Sequence, residues 1–193
     1  MKTNHYTRGT GVLEGFLAKK RTAKANSLLK KVKKGNILDV GCGSYPYFLL
    51  NNDFAGKYGI DPSLKNTKLK NIELKNLDVV KSKLPFKDNF FDAVTMLAVF
   101  EHLDHKKIHF VLKEINRVLK KEGVLIITTP APWSDKILRN MARLSLVSKE
   151  EIHEHKHNLT SSVIKSHIVK SGFKKTRSGY FELGLNMWFT AIK

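Results

Sequence analysis

The chain has 193 residues, 41% of them hydrophobic and 27% charged, which suits one α/β domain with a buried core and is short for two. Its one cysteine, Cys42, excludes an internal disulfide and a multi-cysteine zinc site, and its most apolar run, Phe90 to Phe100, is about half a membrane span and contains Asp92. The net charge of +18, carried by 29 Lys and 6 Arg, favours anionic partners without choosing among nucleic acid, a membrane surface and an acidic metabolite.

The opening residues, MKTNHYTRGTG, hold no apolar core of signal-peptide type, so a reducing, cytoplasmic setting is expected. Val12, Leu13, Phe16, Leu17, Leu28, Leu29 and Val32 are spaced for a helix with one basic face within residues 12–33. Short apolar or β-branched segments follow at 36–41, 57–61, 72–79, 90–97 and 123–130, each read as a strand. Between the last two, residues 104–121 carry one apolar stripe, from Ile108 through Val111, Leu112, Ile115 and Val118 to Leu119, and Gly123 is expected to close that helix. After Pro130 a helix is expected around 133–147 and another over 161–171, stopped by Gly172. Strands over about 174–182 and 186–192 are joined by so few residues that they must form a hairpin, which contributes one antiparallel strand.

Strand and helix in alternation imply parallel pairing with right-handed crossovers. The expected fold class is therefore α/β, a three-layer doubly wound (Rossmann-like) sheet, mostly parallel, in a single domain. Residues 1–34 are its N-terminal helical segment and 35–130 its core. Residues 131–193 supply further helices and the C-terminal β-hairpin.

The chemistry concentrates in ILDVGCGSYPYF, residues 37–48. In a doubly wound sheet the first strand-to-helix turn lies where strand order reverses, and ligands bind there. Gly41 and Gly43 let backbone approach a ligand closely, and Pro46 is tolerated in a first helical turn, with Ser44 or its neighbour as cap. No lysine follows in the manner of a phosphate loop. Acids stand at strand ends instead: Asp39, Asp61 and Asp78. Asp61 suits ribose hydroxyls and Asp78 an exocyclic amine, whereas a dinucleotide loop would need a third glycine where Pro46 stands.

These motifs, taken in order, resemble those of class I S-adenosylmethionine-dependent methyltransferases, in the broad group with the ubiquinone-biosynthesis type. ILDVGCG resembles the first motif and GIDPS the second; LDVVKSKLPFKDNFFDAV and FEHLDH with EINRVLKKEGVLIITTP resemble the rest of the core. The resemblance covers residues 35–130 closely and implies a seven-stranded sheet with a final hairpin. It also implies S-adenosyl-L-methionine as cofactor, with S-adenosyl-L-homocysteine as product. Asp39, Gly41, Cys42 and Gly43 would line the methionine part, Asp61 would take the ribose hydroxyls and Pro62 would turn away from them. Asp78 and the backbone of Val79 would meet the adenine, and Leu97 would lie beside the sulfonium. Tyr45 stands where the family commonly has a glycine, and KKEG where it has KPGG.

Methyl transfer needs positioning before it needs proton transfer. Where the acceptor is a hydroxyl a base helps, and His102, assisted by Glu101, is the candidate catalytic pair. Related enzymes that bind a divalent ion carry a Glu-x-x-Glu-His, which here reads Ala98-Val99-Phe100-Glu101-His102, so no metal is expected. His153, His155 and His157 then line the substrate mouth or face solvent, and Tyr6 or Arg8 could fold over the cofactor. The expected partner is a small-molecule acceptor, with nucleic acid the alternative that the charge leaves open and a non-catalytic binding module the third.

Overall fold

The computed structural model describes residues 13–143 and 159–193. In chain order the elements are α1 (Glu14–Leu28), β1 (Asn36–Val40), α2 (Tyr47–Leu50), β2 (Gly56–Ile60), β3 (Thr67–Leu69), β4 (Ile72–Lys75), β5 (Phe91–Leu97), α3 (His105–Val118), β6 (Leu119–Pro130), α4 (Asp135–Arg143), α5 (Ser161–Lys170), β7 (Lys174–Phe181) and β8 (Asn186–Ile192). The strands form one sheet in the order β3-β4-β2-β1-β5-β6-β8-β7. β1 pairs parallel with both β2 and β5, so the strand order reverses at β1.

That is the doubly wound α/β fold read from the sequence, with one strand more than the seven expected. The extra strand is β3, three residues long and antiparallel to β4 at one edge. β8 runs antiparallel between β6 and β7 rather than at the border, and β7 carries a register shift between Lys174 and Arg177. β4 stops at Lys75, so Asp78 lies three residues beyond the strand expected to carry it.

Period-two alternation divides the core between the two faces of the sheet. Leu38, Val40, Val94, Met96, Leu125 and Ile127 pack with Ile108, Val111, Leu112 and Ile115 of α3 and with Ile164 and Ile168 of α5. Ile37, Ala93 and Ile126 point the other way, toward Ala25, Leu29, Phe48 and Leu49. Three layers result.

Two helix expectations are corrected. Leu29, just past α1, is buried and Leu28 and Val32 pack against the core as expected, but Phe16 is exposed, and the buried face of the helix is made by Ala18, Thr22 and Ala25; small side chains at helical spacing let the helix lie close to the sheet. Gly123 does not close α3, which Asp104 caps at its start through a bond from the Lys106 N–H. The helix ends at Val118 and Leu119 already pairs with Phe91; the register then jumps to Ala93 and Val124, and Glu122 at φ 62° lies in that bulge. The helix expected after Pro130 begins with a 3-10 turn, Pro132–Ser134, followed by α4. No helix among the described residues is long and apolar enough to cross a membrane.

The LPFKDNFF segment has a structural duty. Phe86, Phe90 and Phe91 surround Tyr58 of β2 at centroid separations of 5.6, 5.4 and 5.4 Å, edge to face. Arg117 of α3 clamps the segment from outside, donating to Leu84 O at 2.9 Å, Phe86 O at 2.9 Å and Asp88 Oδ1 at 2.6 Å. It also makes a two-pronged pair with Glu114, at 3.0 and 2.8 Å, and Glu114 in turn accepts the Leu84 N–H at 3.0 Å. The guanidinium beside it holds the Glu114 carboxyl below its ordinary range. This contribution is fully present above pH 4.5 and is lost as the pH falls below it.

Replacing Arg117 leaves Glu114 and two backbone carbonyls without their donor. Arg117→Ala should lower the unfolding free energy at pH 7 by about 2 to 3 kcal/mol, measured by urea unfolding. A loss below about 0.5 kcal/mol, the range of an ordinary surface substitution, would mean the clamp is decorative.

Candidate functional site

β1 delivers Asp39 to the reversal point from the middle of the sheet, where it stands opposite Thr95 of β5. Asp39 is buried, and its Oδ1 accepts the Thr95 hydroxyl at 2.6 Å. Burial raises its pKa to about 7; the Thr95 bond opposes the rise and the nearby Asp61 carboxylate adds to it. Because the folded value lies above the ordinary 3.8, burial penalises the ionised form. The fold bears no such cost below pH 3.8 and bears all of it above about 7, so Asp39 weakens folding progressively through that interval.

The chain then turns at Gly41 (φ 73°) and Gly43 (φ 72°). The N–H groups of Gly41 and Cys42 both donate to Ile60 O at the end of β2, at 2.8 and 3.3 Å. The two glycines differ in what they serve. A Cβ on Gly41 would come within 2.3 Å of Val99 Cγ2, whereas a Cβ on Gly43 would meet nothing within 4 Å. The first is needed for packing against the loop after β5. The second exposes bare backbone to open space.

Asp61 follows β2 directly and is buried. Its Oδ2 accepts the Gly43 N–H at 3.1 Å, and its Oδ1 accepts both the N–H and the hydroxyl of Ser63, at 2.8 and 2.5 Å. Pro62 is exposed and turns outward, its carbonyl accepting from Asn76. The sequence reading missed Ser63; an Asp-x-Ser after a strand is the signal for an Asx turn and could have found it.

Asp78 comes alongside because Leu77 N donates to Asp61 O at 3.4 Å. Its Oδ1 accepts the Val80 N–H at 3.1 Å and its Oδ2 pairs with Lys81 at 3.2 Å, so it opens a local turn rather than tipping a strand. The Val79 side chain is in the core. Cys42 is buried, and its sulfur lies 2.7 Å from where a Cβ on Gly59 would stand. The cap assigned to Ser44 is not made: Pro46 itself holds the N-cap position of the four-residue α2.

Beyond β5 the chain passes half-buried Leu97 and then Ala98, a non-glycine at φ 57° whose N–H is held by Thr128 O at 3.0 Å and Thr128 Oγ1 at 3.2 Å. Such a backbone persists only where its surroundings enforce it. Val99 abuts Gly41, and the 3-10 turn Phe100–His102 follows. Glu101 is 4% exposed, and its Oε2 has no hydrogen-bond partner among the described residues. His102 is half-buried. Tyr6, Arg8, His153, His155 and His157 lie outside the described residues.

At the carboxyl ends of β1, β2 and β5, where a doubly wound sheet has its crevice, two buried carboxylates and a bare backbone corner thus stand together, with Asp78 following alongside. Residues 38–127 match the family model described as a methyltransferase domain. The uncharacterized protein MJ0638 of Methanocaldococcus jannaschii is 40% identical over 103 residues, covering 52% of this chain and 44% of that protein. The chain spans about half the length of the curated relatives it matches. An S-adenosylmethionine-dependent methyltransferase from Mesorhizobium loti superposes with a TM-score of 0.68 at 16% identity, over 92% of this chain and 100% of that one. A Haemonchus contortus phosphoethanolamine N-methyltransferase, in complex with phosphomonomethylethanolamine and S-adenosylhomocysteine, superposes at 0.66 and 15% identity, over 90% of this chain and 52% of that one. The order of strands and the match over the core agree: residues 38–127 are similar to a methyltransferase domain, and the fold is the one seen in S-adenosylmethionine-dependent methyltransferases.

Proposed function

We propose that the protein moves a methyl group from S-adenosyl-L-methionine to a small-molecule acceptor. The observation that carries this reading is the pair of buried carboxylates flanking a corner where a Gly43 side chain would meet nothing. Acids on a bare corner suit a cation bearing a ribose and repel a pyrophosphate. α2 is only four residues long and offers no extended helix end to phosphates either. When bound, S-adenosylmethionine supplies a methyl group on a positively charged sulfur.

The chain's own residues do the rest. Asp39 would take the methionine ammonium, with the backbone of Gly41, Cys42 and Gly43 beside it. Asp61 would take the ribose hydroxyls. Its Oδ1 accepts from both the N–H and the hydroxyl of Ser63, so a ribose contact at that oxygen requires the Ser63 hydroxyl to rotate away. Asp78 and the Val79 backbone would bound the adenine, and Leu97 would give the reacting centre an apolar wall. Positioning supplies most of the acceleration. For a hydroxyl acceptor, His102 would act as the base with Glu101 assisting it, and the unpartnered buried Oε2 of Glu101, costly on its own, supports that reading.

Three outcomes test these assignments by titration with S-adenosylhomocysteine, which needs no knowledge of the acceptor. Asp61→Ala should weaken binding by about 1.5 to 3 kcal/mol; unchanged affinity would misplace the ribose. Protonation of Asp39 competes with the ammonium, so affinity should fall roughly tenfold per pH unit below 7 and this slope should vanish in Asp39→Asn. A flat profile in the unaltered protein removes Asp39 from the contact. Finally, Glu101→Gln should raise stability by about 1 kcal/mol with homocysteine-product affinity unchanged. A destabilised variant would show that Glu101 serves the fold.

A further inference from the structure

The crevice leaves unused a surface at the same end of the sheet. The turn between β7 and β8 carries Leu183, fully exposed at φ 55°. On one flank Trp133, 53% exposed, packs against Tyr180, 51% exposed, with ring centroids 5.0 Å apart. Trp133 Cζ2 lies 3.9 Å from where a Cβ on Gly184 would stand, and Ile137 is exposed on the adjoining α4. On the other flank α1 presents exposed Phe16, with Lys20 Nζ 5.2 Å from its ring, and Lys24 Nζ lies 4.7 Å from the ring of Trp188. Arg21 and Lys20 act electrostatically on Glu182 in the same turn.

Single exposed apolar residues need no explanation, but a cluster of large ones at a protruding turn does. Two partners fit aromatic rings rimmed by cations: a single-stranded nucleic acid and an anionic bilayer. Leu183 and Ile137 have no ring to stack on a base, yet they are suited to the acyl boundary of a membrane, where Trp and Tyr occupy the headgroup level. The cations are mostly lysines, 29 against 6 arginines over the chain, and a bilayer surface attracts them as point charges without asking for the arginine fork.

We infer that the β7–β8 turn, with Trp133, Ile137 and the basic turn of α1, is a docking surface for a bilayer bearing anionic lipids. The turn inserts Leu183 and the rings shallowly, and the lysines meet the headgroups. β8 lies three positions from β1 in the sheet, about 14 Å at the usual strand spacing, so docking sets the crevice mouth beside the membrane surface. Docking itself does not depend on methyl transfer. What it delivers, an acceptor carried on an amphiphile, rests on that reading.

Sedimentation with vesicles tests it. The protein should bind phosphatidylcholine vesicles containing phosphatidylglycerol more tightly than phosphatidylcholine alone, with a blue shift of tryptophan emission. The double variant Trp133→Ala/Leu183→Asp, altered at exposed positions, should keep its unfolding midpoint and its S-adenosylhomocysteine affinity while vesicle affinity falls roughly tenfold or more. Absence of vesicle binding, or equal binding by the double variant, overturns the inference. Loss of single-stranded RNA affinity in place of vesicle affinity would make the surface a nucleic-acid site, and loss of self-association in its place would make it a contact between copies; either outcome also overturns it. Intact cofactor titration in any of these cases leaves the methyltransferase reading standing.

Discussion

Everything at the candidate site depends on how closely the corner after β1 approaches the loop after β5. Position 41 has room for a hydrogen and nothing larger, because Val99 already fills the space. That approach, with the Gly41 and Cys42 N–H groups fastened to the end of β2, draws three strand ends together. The acids they carry then share one small volume. Burial pushes the Asp39 carboxyl up to about 7, and the charge of nearby Asp61 adds to the rise. A protein gains nothing in stability from this arrangement. It makes sense as a place prepared for a positive guest.

The glycine corner, its acids and the parallel core were legible in the sequence because each is a local pattern: an apolar strand, a turn with two glycines, an acid at the strand's end. The site's supporting contacts were not. Ser63 became visible as a partner of Asp61 once the turn was known, and Thr128 as the anchor of Ala98 only through the pairing of β6 beside β5. The bulge at Glu122 and Gly123 is set by where Leu119 and Val124 meet their partners, a long-range matter, although a glycine after an amphipathic run reads locally as a helix stop. α1 misled for a related reason. Of the large apolar residues in and just past it, Leu29 is buried and Leu28 and Val32 pack against the core, but Phe16 is exposed, and Ala18, Thr22 and Ala25, which carry little apolar signal, make the buried face of the helix itself.

The stretch from Leu84 to Phe91 shows how a sequence motif can serve architecture. Its phenylalanines wrap Tyr58, and its backbone hangs on Arg117, so it holds the sheet's centre against α3 rather than lining the crevice. Arginine is scarce in this chain, and here one is spent on carbonyls and carboxylates that call for its planar fork. Lysines, by contrast, populate the outside.

The two borders of the sheet are treated differently and with the same effect. β3 offers three residues of open backbone and no more, and β7 presents Lys174 and Lys175 where its ladder is already out of step. A foreign strand seeking to extend the ladder finds one border too brief and the other charged and crooked. Such blunted rims let a strongly apolar parallel core exist at high concentration without seeding fibrils.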